Sequence, residues 1–294
     1  MDKLNKKSIR TDLALESLDF ASSNTIDAIT KKVEHINGVL TTTVRLDKDF
    51  SQSEIGKPKG IYITCEIQNL KSGVHNPDSV IELIAGKIKS LLDEAGDVLV
   101  VGLGNQSITP DTVGTQTVKG IFATRHIEKS LASSLGLPPL RKVSAVAPGV
   151  LGQTGIETAE IIKSICNHIK PQCVIVIDAL ASRSIDRLGT TIQISNTGIS
   201  PGSGVSNHRH RLDKDSLGAQ VISVGVPTVV DVATVAFDLA RSDNFTLPDS
   251  AHGMMVTPRE IDTLIAHSSK ILADAINFAL QPTLSLEELR ALTA

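Results

Sequence analysis

The sequence predicts an α/β fold in three layers, with a mostly parallel sheet between helices on both faces. Three short runs, DVLVVGL (97–103), VSAVAP (143–148) and CVIVIDA (173–179), are apolar at nearly every position. Strands buried on both faces of a parallel sheet have this character. Helical stretches separate the three runs, and strands alternating with helices build a sheet that is covered on both sides. The 294 residues are 41% hydrophobic but only 2% aromatic, so the core is large and aliphatic. One domain is expected over residues 13–294. Residues 1–12 form a polar, basic arm, expected to be exposed.

The elements follow in order. Residues 39–46 (VLTTTVRL) and 60–68 (GIYITCEIQ) alternate as strands do, and the turn-rich SQSEIGKPKG joins them. Residues 77–95 read as a helix. Asn76 can cap it, Pro77 suits its first turn, and Ile81, Ile84, Ile88, Leu91 and Leu92 share one face, with Gly96 at its end. Helices at 112–124 and 155–169 lie between the buried runs. For the second, Thr154 is placed as N-cap with Glu157 three residues on, a capping-box pattern. Strands at 191–195 (TIQIS) and 220–226 (QVISVGV) come next, then helices at 228–241 and 258–280. RSDNFTLPDSAHG (241–253) reads as a flexible connection, and the last residues as a short helix or tail.

Composition excludes several classes. The net charge is -3, with no basic stripe, and there is no Trp and one Tyr (Tyr62) to stack on bases. Direct nucleic-acid binding is therefore not expected. No run reaches the roughly 18 apolar residues of a membrane span, and the N-terminus has no apolar signal core. Cys65, Cys166 and Cys173 are an odd set in apolar stretches without metal spacing, which reads as reduced core thiols of a cytoplasmic protein. Neither a cofactor nor a metal is expected.

Ligands of open α/β sheets sit outside the carboxyl ends of the strands. Three polar segments reach that edge: GLGNQSITPD with Asn105, Thr109 and Asp111; Asp178 at the end of CVIVID; and the glycine-rich SNTGISPGSGVSNHR (195–209). The first segment lacks the third glycine of a dinucleotide fingerprint, since Ser107 stands there, and no G-K-[ST] follows as in a P-loop. Asp111 fits either a helix N-cap or a chemical role. Asp178 ends an aliphatic strand, where an unpaired carboxylate is costly; it is either a turn aspartate with satisfied hydrogen bonds or a working group. If adjacent strands carry both, the two carboxylates converge on one cleft. Such a pair can share a proton, one member activating water while the other donates a proton. Asn105 and Thr109 are candidates to hold the aspartates or an intermediate. His208 and His210 have metal-like spacing but sit in the cationic NHRHR without a third ligand, Ser203 lacks a nucleophile elbow, and His126 reads as structural.

The strings VVGLGN…TPD..G, TRH, VSAVAPGVLGQTGIET, VIVIDALASRS, TTIQISNTGISPGSGVSNHR, VISVGVPTVVD and MMVTPREID, in this order, resemble the germination protease family of spore-forming bacteria. So does IRTDLALE near the N-terminus. The resemblance implies an endopeptidase that degrades small acid-soluble spore proteins during germination. It implies a cytoplasmic (spore core) location, a homotetramer, a zymogen that removes its own propeptide, and a fold similar to hydrogenase maturation proteases. It assigns the catalytic aspartates of an atypical aspartic peptidase to Asp111 and Asp178. It places propeptide cleavage between Asp12 and Leu13, on an arm a partner subunit could reach, with residues 1–12 as propeptide. Two features depart from the family pattern: only a short connection stands at 241–253 in place of a long insertion, and Gln106 stands where Trp is frequent. The alternatives are a metal-dependent peptidase, with Asp111, Asp178 and a histidine as ligands, and a nucleotide- or anion-binding module built on the GLGN and GSG loops.

Overall fold

The computed structural model describes residues 11–18, 28–53, 55–93, 96–134, 136–200, 210–240, 248, 251 and 253–293. The strands are β1 (Ile29–Ile36), β2 (Val39–Leu46), β3 (Gly60–Glu66), β4 (Val98–Gly102), β5 (Val143–Val146), β6 (Cys173–Ser182), β7 (Thr191–Ser195), β8 (Gln220–Asp231) and β9 (Met255–Val256). The helices are α1 (Ala14–Ser17), α2 (Pro77–Leu91), α3 (Val113–Lys119), α4 (Lys129–Ser134), α5 (Leu151–Thr154), α6 (Thr158–Ile169), α7 (Lys214–Leu217), α8 (Val232–Ala240), α9 (Ile261–Leu280) and α10 (Leu286–Thr293).

All the strands lie in one sheet, in the order β1-β2-β3-β7-β8-β6-β4-β5, with β9 against the far end of β8. The three aliphatic runs become β4, β5 and β6, and with β8 they form the expected parallel block. Side chains alternate between its faces. Val98, Val100, Ile175, Ile177, Ile222 and Val224 join the core under α2 and α9. Leu99, Val101, Val174, Val176 and Val221 join a second core with Ile162 and Cys166 of α6 and Leu217 of α7. Two such cores on one sheet make the three layers.

The sheet is wider than the parallel block. β1, β2, β3 and β7 pair antiparallel, and β7 joins β8 antiparallel, so the sheet as a whole is mixed. The pattern of β2 agrees with this: it alternates in part, as a strand with one solvated face does.

Several boundaries differ from expectation for local reasons. α2 stops at Leu91, short of 95. Asn76 does cap it, accepting from the Ser79 N–H at 3.5 Å. The expected Thr154 cap is replaced: Thr154 closes the short α5, Gly155 turns left-handed at φ 71°, and Glu157 is the N-cap of α6 without a side-chain cap bond. The Thr154 hydroxyl instead accepts from the Ile156 N–H at 3.1 Å. β8 runs on to Asp231, so helix begins at Val232 rather than 228. Most of the 241–253 connection lies outside the described residues, as do residues 1–10 of the arm. No helix among the described residues is long and apolar enough to cross a membrane.

The three cysteines are free and buried. Loss of hydration raises each thiol, to about 11 for Cys65 and about 12 for Cys173, with Cys166 also raised. All should therefore stay protonated and shielded at pH 8. A thiol-specific reagent at that pH is expected to leave the native protein unmodified and to label all three cysteines in denaturant. Rapid labelling of the native protein would contradict the burial described.

Gly114 gives a second expectation. A Cβ on it would stand 2.4 Å from the Ile177 carbonyl oxygen and 2.5 Å from that of Leu103, both backbone atoms with no room to yield. Gly114→Ala is expected to cost about 1–3 kcal/mol by overpacking, read as a lower urea midpoint at unchanged slope.

Candidate active site

β4 leaves the sheet at Gly102, and the chain must turn sharply there. Gly104 takes φ +108°, and a Cβ on it would meet the Asp111 carbonyl oxygen at 1.8 Å, so the loop 104–111 closes on itself only through glycine. The Asn105 N–H donates to Asp111 Oδ2 at 2.8 Å across that closure. A 3-10 turn, Thr109–Asp111, then leads into α3, and the Asp111 N–H donates to the Ile108 carbonyl at 2.8 Å. Thr112 occupies the N-cap position of α3. Asp111 therefore does not cap the helix. Its carboxylate is held by the loop.

Asp178 stands on β6, the neighbour of β4, in register with Gly225 of β8. It is 6% exposed, and its Oδ1 accepts from the Ala179 N–H at 3.0 Å. The Leu103 N–H donates to the Ile177 carbonyl at 2.8 Å, which ties the Asp111 loop to the residue before Asp178. Both carboxylates line one cleft of about 430 Å³ at the carboxyl ends of β4 and β6. Its wall includes Asn105, Thr228, Met255 and Asp12. The Thr228 hydroxyl is buried and finds no partner among the described residues.

The predicted supporting residues divide. Asn105 lines the cleft, but it holds Asp111 through its backbone N–H. Its side-chain oxygen accepts from Ser107 N–H at 2.9 Å and from Gln153 Nε2 at 2.8 Å. Thr109 is exposed and does not line the cleft. Its carbonyl accepts from the Thr112 hydroxyl at 2.8 Å, which braces the turn.

Asp12 and Leu13 are the unexpected part. The segment 11–17 is seated in this chain's own fold, although residues 1–12 read as an exposed arm. The Asp12 N–H donates to the Ala181 carbonyl at 3.0 Å, and the Ala181 N–H returns a bond to Asp12 Oδ2 at 2.9 Å. The Asp12 carbonyl accepts from Lys57 Nζ at 2.8 Å and Gln193 Nε2 at 3.1 Å. Gln193 Oε1 in turn accepts from the Ala14 N–H at 2.6 Å. Leu13 between them is fully buried. Further on, Glu16 is 1% exposed. It accepts from the amides of Arg183 at 2.7 Å and Ser184 at 2.9 Å and pairs with Arg187 at 3.3 Å. The Thr11 hydroxyl also donates to it. An acidic residue so enclosed needs these partners. They pin the arm on the side that follows Leu13.

Burial pushes the Lys57 ammonium below its ordinary pKa, and the charges of Asp12 and Glu16 oppose that shift.

His126 and His210 are exposed. His208, Ser203 and most of the glycine-rich loop lie outside the described residues. Among the described residues no group of three His, Cys, Asp or Glu side chains is placed to hold a metal ion. Lys57, Gln193 and Thr228 were not foreseen from the sequence. Gln193 carried a signal, as the amide-bearing residue inside the apolar TIQIS strand. Lys57 carried none, since it sits in a turn-rich connection.

The family model described as germination protease matches residues 9–242. Proteins named germination protease are 40% identical in Caldanaerobacter subterraneus, over 97% of this chain and 98% of the relative, and 40% identical in Clostridium perfringens, over 96% and 98%. One from Bacillus mycoides is 34% identical over 99% of this chain and 98% of its own length. That alignment runs over 362 residues, longer than this chain, so the Bacillus relative carries residues that this chain lacks. A [NiFe] hydrogenase maturation protease from Thermococcus kodakarensis aligns at 14% identity and TM-score 0.37, covering 65% of this chain and 98% of its own. With the family model matching residues 9–242 and relatives 34–40% identical over nearly the whole chain, the chain belongs to the germination protease family.

Proposed function

We propose that this peptidase starts the degradation of small acid-soluble spore proteins in the spore core during germination. It is made as a zymogen that cuts its own Asp12–Leu13 bond and assembles as a homotetramer. Family membership gives the coarser statement, a protease of spore germination. The observation that carries the finer one is that Asp12 lines the same cleft as Asp111 and Asp178. A shared cleft for the residue before the proposed cut and the two proposed catalytic aspartates supports this reading.

In this reading the two aspartates act as a unit on one water molecule. The ionised member takes a proton from water as its oxygen attacks the scissile carbonyl, and the protonated member gives its proton to the leaving amine. The roles are assigned to the dyad rather than to either residue, as for any pair of interacting carboxyl groups. Asn105 supports it by fixing Asp111 through the backbone, and Thr109 by bracing the turn. Spore proteins would enter the same cleft once residues 1–12 have left.

Asp111→Asn and Asp178→Asn are each expected to slow both self-processing and cleavage of a purified spore protein by about 10²–10⁴. Mass spectrometry of the wild-type chain should show a new N-terminus at Leu13. Full activity in either variant, or a cut at another bond, would sink the mechanism. Exhaustive chelation is expected to leave both activities intact; loss that added divalent metal restores would favour a metal-dependent peptidase.

A further inference from the structure

Asp12 lines two pockets: the cleft that holds Asp111 and Asp178, and a smaller pocket whose wall includes Lys57, Tyr62, Gln193 and Arg211. The Asp12 carbonyl oxygen takes its bonds from residues of the smaller pocket, from Lys57 Nζ at 2.8 Å and Gln193 Nε2 at 3.1 Å. Both donors are fixed in advance. Gln193 rises from β7 and is only 9% exposed; the Ala14 N–H locks its amide oxygen, which aims its NH₂ at the carbonyl. The Lys57 ammonium is directed at the same oxygen, and loss of hydration there lowers its pKa. A carbonyl needs no cationic donor for structural satisfaction alone. A charge-assisted bond from an ammonium is the stronger kind, and it strengthens further if the oxygen becomes an anion.

The geometry points to Lys57 and Gln193 as the oxyanion-stabilising residues of the self-cleavage, catalytic groups that act on the Asp12 carbonyl oxygen. This inference rests on the proposed cut between Asp12 and Leu13. Water oxygen bonds to the Asp12 carbonyl carbon, and the C=O π pair moves to the oxygen. That negative charge is held by the Lys57 ammonium and the Gln193 amide. One water proton goes to the ionised aspartate. Collapse of the intermediate restores the C=O bond and breaks the C–N bond, and the Leu13 nitrogen takes a proton from the protonated aspartate. Neither donor transfers a proton, so the step balances without another reactant.

The test compares full-length Lys57→Met with wild type in the first-order appearance of the Leu13 N-terminus, together with hydrogen-exchange protection of the segment 11–17. Lys57→Met is expected to process about 10²–10³ more slowly while segment 11–17 stays as protected as in wild type. A rate within threefold of wild type overturns the inference. So does a slow rate accompanied by lost protection, because Lys57 would then only seat the arm. Gln193→Glu is the second variant, since it keeps the acceptor for Ala14 and replaces the donor to Asp12. If Lys57→Met does not fold, a folded Gln193→Glu chain that keeps the wild-type rate overturns the inference, and a comparable slowing with segment 11–17 still protected supports it. A wild-type chain that never yields Leu13, or an Asp178→Asn chain that processes normally, instead overturns the cleavage reading and this inference with it.

Discussion

The site depends on a close approach that glycine alone permits. α3 begins against the ends of β4 and β6, with Gly114 in contact distance of the Leu103 and Ile177 carbonyls and Gly102 equally close to the Gly114 carbonyl. Gly104 folds the connecting loop onto the Asp111 backbone. Any side chain at these points would push the 3-10 turn away from the sheet. The consequence is chemical: two aspartates far apart in sequence, one in the turn that follows β4 and one on the neighbouring β6, open onto one cleft. The absence of a third glycine in GLGNQS matters little, because the loop is shaped to place a carboxylate and not to wrap a pyrophosphate.

The second organising feature is the seated arm. Leu13 and Glu16 lie inside the protein, and a buried carboxylate is costly unless it is paired. The amides of Arg183 and Ser184, together with Arg187, meet that need for Glu16. These partners follow directly after β6, the strand that carries Asp178. The strand that supplies one aspartate therefore also grips the arm. Lys57 and Gln193 come from the antiparallel half of the sheet and close on the Asp12 carbonyl. The extra strands thus have a part in the site beyond widening the core.

Much of this was legible in the sequence, for reasons that particular residues make plain. β4 and β6 are apolar on both faces, so their wholly aliphatic runs stood out, and the two aspartates stood out as the carboxylates that follow them. β1 did not, because its residues ITKKVEHI lie on an edge with most side chains exposed, and no alternation survives there. The polar residues of the arm point to exposure. Its seating comes from long-range bonds to Lys57, Ala181 and Gln193, which no local pattern encodes. The mixed sheet was hidden for a similar reason: strand direction is set by pairing across the fold, not by composition.

The central claim is that each chain presents its own Asp12–Leu13 bond to its own Asp111/Asp178 pair. The most direct measurement mixes wild-type chains with mass-tagged Asp178→Asn chains under processing conditions and weighs both products. Wild-type chains are expected to lose residues 1–12 while the tagged chains stay intact. Processing of the tagged chains at a rate comparable to wild type would show that the bond is cut by a different chain, and would contradict the claim.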